Sequence, residues 1–117
     1  GDIPTLMEAG ELAYFFEVPV LDASTLIPKD ITRNVVLNHL THAREVLSAL
    51  EEWTIDSIKA SLWGYATEKG RAAVLWPLRY ALSGRMKSPD PFTLSYVLGK
   101  EETLARITLA EKLLTPA

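Results

Sequence analysis

The chain contains few residues whose types and spacing could support catalysis or metal binding. His39 and His42 stand three residues apart and would share one side of a helix, but no carboxylate at helical spacing completes a ligand set, so we expect no metal site. Glu51 and Glu52 are adjacent and would point about 100° apart on a helix, which is the wrong geometry for an acid/base pair. The chain has no cysteine, which excludes disulfides, thiolate chemistry and cysteine-rich zinc sites. We therefore predict no catalytic residues.

A basic and aromatic element remains, with the sequence Pro77-Leu78-Arg79-Tyr80-Ala81-Leu82-Ser83-Gly84-Arg85. On a helix, Arg79 lies about one turn from Leu75 and Leu82, so its stem can pack while its guanidinium points outward. A guanidinium held in this way can make paired hydrogen bonds to a base or a phosphate, and it can stack on a base. Arg79 could equally pair with a glutamate or with helix-end carbonyls of the same chain. The residues alone leave both interpretations open.

Charge is distributed unevenly along the chain. The formal net charge of −3 argues mildly against a nucleic-acid partner. Up to Trp63, however, four basic residues face ten acidic ones, whereas from Gly64 onward eight basic residues face five acidic ones. This asymmetry indicates that the later half could face a polyanion, although ordinary solvated helix faces would give the same pattern.

Length and composition indicate one soluble globular domain. The chain has 117 residues, of which 48% are hydrophobic and 23% charged. No stretch approaches the roughly 18 uninterrupted apolar residues of a membrane helix, so a membrane partner is not expected. The beginning of the chain lacks the pattern of a signal peptide, and together with the absence of cysteine this favours the cytoplasm.

Apolar periodicity predicts two helices in the middle of the chain. The first runs from Thr32 to Leu50, with Asp30 as its predicted N-cap after Pro28. The second begins after an N-cap at Thr54 and ends at Gly70. Its predicted buried face consists of Ile55, Ile58, Leu62 and Tyr65.

Three further helices are predicted downstream. Arg71 to Leu82 is helical up to Gly84, but Pro77 inside it should kink the helix or make it restart. Asp90 should cap a short helix that begins at Pro91 and ends at Gly99. The last helix covers Lys100 to Leu114.

The beginning of the chain is less regular. Pro4 to Phe16 is interpreted as a helix and Val18 to Ile27 as a connecting loop. No run alternates with a period of two for long enough to indicate a strand. The predicted fold class is therefore all-α, a compact bundle or helical cage of five to six helices.

Several spaced elements resemble the C-terminal end of bacterial glutamyl-tRNA synthetases, which are class I aminoacyl-tRNA synthetases. They are Trp76-Pro77-Leu78-Arg79-Tyr80-Ala81-Leu82-Ser83-Gly84, Lys87-Ser88-Pro89, Val97-Leu98-Gly99-Lys100-Glu101 and Leu104-Ala105-Arg106-Ile107. Thr5-Leu6-Met7-Glu8-Ala9 through Phe15-Phe16 resembles the helix that precedes the last subdomain. The resemblance implies that residues 1–28 are the end of the preceding helical subdomain plus a loop, and that residues 29–117 are the C-terminal helical subdomain.

The resemblance also implies a partner and a set of RNA-binding residues. The partner is the anticodon loop of glutamate tRNA, with Arg79, Ser88 and Pro89 against the anticodon bases. The neighbouring basic residues Arg85 and Lys87 are predicted from their charge to contact the RNA as well. Where the family often has a leucine, this chain has Pro91, which puts an apolar base contact there in doubt.

By the same resemblance, the fragment itself has no catalytic residues and needs no cofactor. ATP and Mg²⁺ belong to a catalytic domain of the same polypeptide that this chain lacks, so adenylation and transfer to tRNA are not expected of it. The expected state is a monomer.

Two other functions are considered. A helical protein–protein interaction module would use Trp63, Trp76 and Tyr80 as exposed anchors, because aromatic residues and arginine are frequent interface hot spots. An independent small helical enzyme is disfavoured by the lack of any catalytic constellation.

Overall fold

A computed structural model describes residues 19–85 and 88–115. Six helices cover most of these residues, and the described ranges contain no strand, which confirms the all-α prediction. The helices are α1 (Ala23–Leu26), α2 (Arg33–Ser48), α3 (Ile55–Lys69), α4 (Arg71–Ser83), α5 (Pro91–Leu98) and α6 (Lys100–Leu114). The helix predicted over Pro4 to Phe16 lies outside the described residues.

The predicted helix starts are confirmed for α3 and α5 and wrong for α2. The Thr54 hydroxyl accepts from the backbone N–H of Ser57, and the Asp90 carboxylate accepts from that of Thr93. For α2 the cap is Thr32, whose hydroxyl accepts from the N–H of Val35, and not Asp30. Asp30 adopts a left-handed backbone conformation with φ of 68°, so it belongs to the turn before the helix rather than to its extended cap position.

The loop predicted over Val18 to Ile27 contains a helical turn. Asp22 caps α1 by accepting from the N–H of Ser24, and Leu26 is fully buried. This part of the chain is held on α4 by two long-range hydrogen bonds. The N–H of Asp22 donates to the Tyr80 hydroxyl at 3.0 Å, and the Trp76 indole donates to the carbonyl of Thr25 at 3.2 Å.

Helix α4 is continuous from Arg71 to Ser83 in spite of Pro77. Of the two predicted effects of this proline, a kink or a restart, the restart does not occur. The helix ends at Gly84, which has φ of 71° and on which an added Cβ would come within 2.5 Å of the Pro19 Cβ. Glycine is required here both by the left-handed conformation and by the close approach of the chain around Pro19.

One apolar core joins all six helices. It includes Leu26 of α1, Leu40 of α2, Leu62 of α3, Leu78 of α4, Leu94 of α5 and Ile107 of α6. The predicted buried face of α3 is correct at Ile58 and Leu62, but Ile55 is exposed and Tyr65 is only half-buried, while Ala66 is buried instead. The division of the chain at residue 28 stays a prediction. No helix in the described ranges is long and apolar enough to cross a bilayer.

Candidate nucleic-acid interface

A surface groove of about 400 Å³ lies between α4 and the start of α5. Its lining consists of Arg71, Ala72, Leu75, Trp76, Arg79, Asp90 and Pro91. Two arginines and an indole therefore share one concave surface with an aliphatic floor. A surface of this composition suits a flat, polar aromatic group such as a nucleobase.

Arg79 is fixed in the groove by its neighbour one turn earlier. Its guanidinium carbon lies 5.2 Å from the centre of the Trp76 ring, and the side chain as a whole is half-buried. Of the two leucines predicted one turn from it, Leu82 is fully buried, and Leu75 is half-buried and lines the same groove. The indole contact was not predicted, although the spacing of three residues could have indicated it.

The Trp76 indole is itself anchored, which makes it a rigid platform. Its N–H donates a hydrogen bond to the Thr25 carbonyl, and its ring lies nearly parallel to that of Tyr80, with the centroids 6.2 Å apart. Tyr80 is only 6% exposed, so its predicted role as an exposed protein-binding anchor is wrong. Both rings instead hold the α1 segment against α4.

The end of α4 carries the next predicted residue, Arg85. The Ser83 hydroxyl donates to the Arg79 carbonyl at 2.9 Å and accepts from the N–H of Arg85 at 3.1 Å. A single buried hydroxyl thus connects the last turn of α4 to the residue that follows Gly84, and it fixes the direction of the chain there.

Ser88 and Pro89 directly precede the groove residues Asp90, which caps α5, and Pro91, which begins it. Ser88 is half-buried, and its hydroxyl donates to the Pro89 carbonyl at 3.0 Å, while Pro89 is exposed. Lys87 lies outside the described residues. The structure therefore positions Arg79, Arg85, Ser88 and Pro89 on α4 and on the two ends of the α4–α5 connection.

Asp90 and Pro91 close the groove on the α5 side. The Asp90 carboxylate accepts from the Thr93 N–H at 2.8 Å and from its hydroxyl at 2.9 Å. The one acidic residue among the described residues of the groove lining therefore caps α5. Pro91 is buried as the first residue of α5. The opposite wall begins at the N-terminus of α4, which has no side-chain cap and no acid in its first turn. Its positive dipole end adds to the charge of Arg71.

Arg106 of α6 contacts the end of α4, and this role was not identified from the sequence. It is 2% exposed, and it donates to Glu102 at 2.8 Å and to the carbonyl of Leu82 at 2.7 Å. The Leu82 carbonyl belongs to the last turn of α4, where helix carbonyls lack partners in the helix. Arg106 thereby ties α6 to the end of α4 that leads into Gly84 and Arg85.

His39 and His42 both contact Tyr65. His39 Nδ1 lies 2.8 Å from the Tyr65 hydroxyl, and the His42 ring stacks on the tyrosine ring at 3.7 Å. Burial, together with the nearby positive charges of Lys69 and His42, lowers the pKa of His39, and burial with the nearby charge of Glu68 raises that of Tyr65. Within the described ranges, no group of three possible metal ligands occurs.

Comparison with known proteins provides an independent result. Residues 2–110 match the family model described as an anticodon binding domain. The chain is 32% identical to a glutamate–tRNA ligase of Clostridium acetobutylicum over 97% of its own length, and 36% identical to that of Roseiflexus castenholzii over 100% of it. It covers 24% and 23% of those two proteins.

A solved structure gives the same result at the level of the fold. The crystal structure of a glutamate tRNA ligase from Elizabethkingia meningosepticum, in complex with its amino acid, matches 91% of the chain with a TM-score of 0.74 and 32% sequence identity. The match covers 21% of that chain. The protein therefore spans about a quarter of the length of the relatives that it resembles.

Proposed function

Since this chain belongs to the anticodon-binding domain family of glutamate–tRNA ligases, we propose that its groove receives bases of the anticodon loop of glutamate tRNA. In this proposal Arg79, Ser88 and Pro89 contact the bases, and Arg85 and Lys87 contact nearby phosphates. RNA loops expose unstacked bases whose edges and faces are open to side chains. In this proposal the region binds RNA with side chains that are already ordered, and it catalyses no reaction.

The observation that supports the proposal most directly is the position of Arg79. Its guanidinium is held over the Trp76 indole within a groove that has an aliphatic floor. An arginine that is already ordered loses little conformational freedom when it binds, and its planar fork can form paired hydrogen bonds with a base edge. A lysine at the same position would offer one mobile charge without this planarity.

The proposal assigns the remaining steps to the parent ligase. The chain covers about a quarter of its relatives, and we infer that adenylation of glutamate, with ATP and Mg²⁺, belongs to a catalytic domain in the same polypeptide. We also propose that the protein is a monomer and that it works in the cytoplasm.

The test compares Arg79→Lys with the unmutated chain on anticodon stem-loop RNAs that carry the glutamate anticodon or a single-base variant of it. The loss of paired or stacking contacts should weaken binding of the glutamate anticodon by about 1–3 kcal/mol. It should also reduce the difference in affinity between this anticodon and its single-base variants. Fluorescence titration at several salt concentrations measures both effects.

The matched control is Lys87→Ala. Loss of a phosphate contact should weaken binding to all stem-loops about equally and make the logarithmic salt slope shallower by about 0.7. Thermal unfolding of both variants separates binding from folding. Equal losses on every anticodon for both variants would show that Arg79 does not read sequence, and a destabilised Arg79→Lys with unchanged preference would assign Arg79 a structural role.

A further inference from the structure

A second cationic and aromatic cluster lies beside the groove. It consists of Lys59 and Trp63 of α3 and Arg71 of α4. The Lys59 amine lies 4.9 Å from the centre of the Trp63 ring, and the Arg71 guanidinium carbon lies 5.2 Å from it. Two flexible basic side chains from different helices are thus gathered over one indole.

The two basic residues are exposed. In the described parts of the chain, neither of them lies within ion-pair distance of a carboxylate. Trp63 is half-buried and packs edge-on against Phe92 of α5, with the ring centroids 6.2 Å apart. The indole is therefore fixed by the fold, and the cations above it point toward solvent.

The cluster is continuous with the groove. Arg71 both lines the groove and lies over Trp63, and Phe92 follows Pro91, which closes the other side of the groove. A strand whose base enters the groove can therefore reach Arg71.

We propose that Lys59 and Arg71, held in place by Trp63, bind the phosphodiester backbone of the RNA strand next to the nucleotide in the groove. This inference rests on the proposed RNA-binding function of the groove. The cations lie over the indole, so the indole serves to order them and not to stack a further base. Ordering reduces the entropy that two long side chains lose on binding phosphate. Phosphate contacts of this kind position the strand without reading its sequence.

The test uses the 117-residue chain and anticodon stem-loop RNAs, with Lys59→Gln, Arg71→Gln and the double variant. Each single variant should bind every stem-loop more weakly by the same factor. The slope of log affinity against log salt concentration should become shallower by about 0.7 in each single variant and by about 1.4 in the double variant. The matched control is Lys112→Gln, which removes the same charge from an exposed position in the last turn of α6 and should leave the slope unchanged.

Trp63→Leu tests the ordering role separately. Both cations remain in this variant, so the salt slope should stay as in the unmutated chain while the affinity falls, because the cations are no longer ordered. Circular dichroism at the titration temperature confirms that each variant is folded.

Each outcome decides the proposal. Unchanged affinity and salt slope in Lys59→Gln, Arg71→Gln and the double variant would overturn it. If Arg79→Lys still changed the anticodon preference in that case, the proposed function of the groove would stand. A chain that binds no RNA would overturn both proposals. Binding of an acidic peptide in competition with RNA, abolished by the double variant while RNA affinity is retained, would assign the cluster to a protein partner instead.

Discussion

The arginines of this protein differ in role because their surroundings differ. Arg79 is half-buried over an indole at the edge of a groove, where its planar group can reach a ligand. Arg106 is almost completely buried and donates to a carboxylate and to a helix-end carbonyl. The first arrangement suits recognition, and the second stabilises the fold beneath the recognition surface.

Replacing Arg106 by methionine should therefore destabilise the protein. The variant leaves the buried Leu82 carbonyl without its donor, and an unsatisfied buried acceptor costs about 1–3 kcal/mol. Chemical denaturation measures the free energy of unfolding. Glu102→Gln is the comparison and should lose less than Arg106→Met, because the glutamine carbonyl can still accept from the Arg106 Nε, although the buried guanidinium loses its counter-charge. A neutral effect of Arg106→Met would contradict the assigned role of this contact.

At the scale of secondary structure, α4 carries most of the interface. Arg71 lies at its start, Trp76 and Arg79 lie in its middle, and Ser83 lies in its last turn. Because the helix continues through Pro77, these residues are spaced along one rigid element. The start of α5 completes the groove with Asp90 and Pro91.

Asp90 has two effects that substitutions can separate. Asp90→Ala removes the α5 cap and should cost about 0.5–2 kcal/mol in unfolding free energy. Asp90→Asn keeps a capping oxygen, so its stability should change little, and it should bind RNA more tightly because a negative charge leaves the groove. Thermal unfolding and RNA titration at low salt measure the two effects. Weaker RNA binding by Asp90→Asn would indicate that the carboxylate itself contacts the ligand.

At the scale of the whole molecule, long-range polar contacts link helices that already share one core. Glu111 of α6 accepts from Thr41 at 2.7 Å and from Arg44 of α2 at 2.6 Å. The Trp53 indole, just before α3, donates to the Ser95 carbonyl of α5 at 3.0 Å. Helices distant in sequence are therefore bound together by both apolar and polar contacts.

Unfolding should consequently be cooperative. Far-ultraviolet circular dichroism reports all helices. Tryptophan fluorescence reports Trp53 and Trp63, which contact α5, and Trp76, which contacts α1. The two probes should give coincident denaturation curves, as expected for a domain with one core. A fluorescence transition that precedes the loss of helix would contradict a single cooperative transition.

The order of residues was sufficient to predict most of the helix boundaries and the family to which the chain belongs. Caps at Thr54 and Asp90, the terminating glycines at 70, 84 and 99, and the apolar spacing depend on contacts within about one helical turn, which the order of residues specifies. The start of α2 was the exception, because Asp30 and Thr32 are both residue types that cap helices. Asp30 lies in the left-handed conformation of the preceding turn, so Thr32 is the cap.

The surroundings of the functional side chains were decided by the tertiary structure. The Arg79–Trp76 contact lies within one helix, but the indole is held by a carbonyl of residue 25, and the cluster at Trp63 joins α3 to α4. Arg106 reaches a carbonyl 24 positions earlier in the chain. Partners at such separations meet only after the helices pack, so a local pattern can indicate an arginine's chemistry but cannot specify what holds it in place.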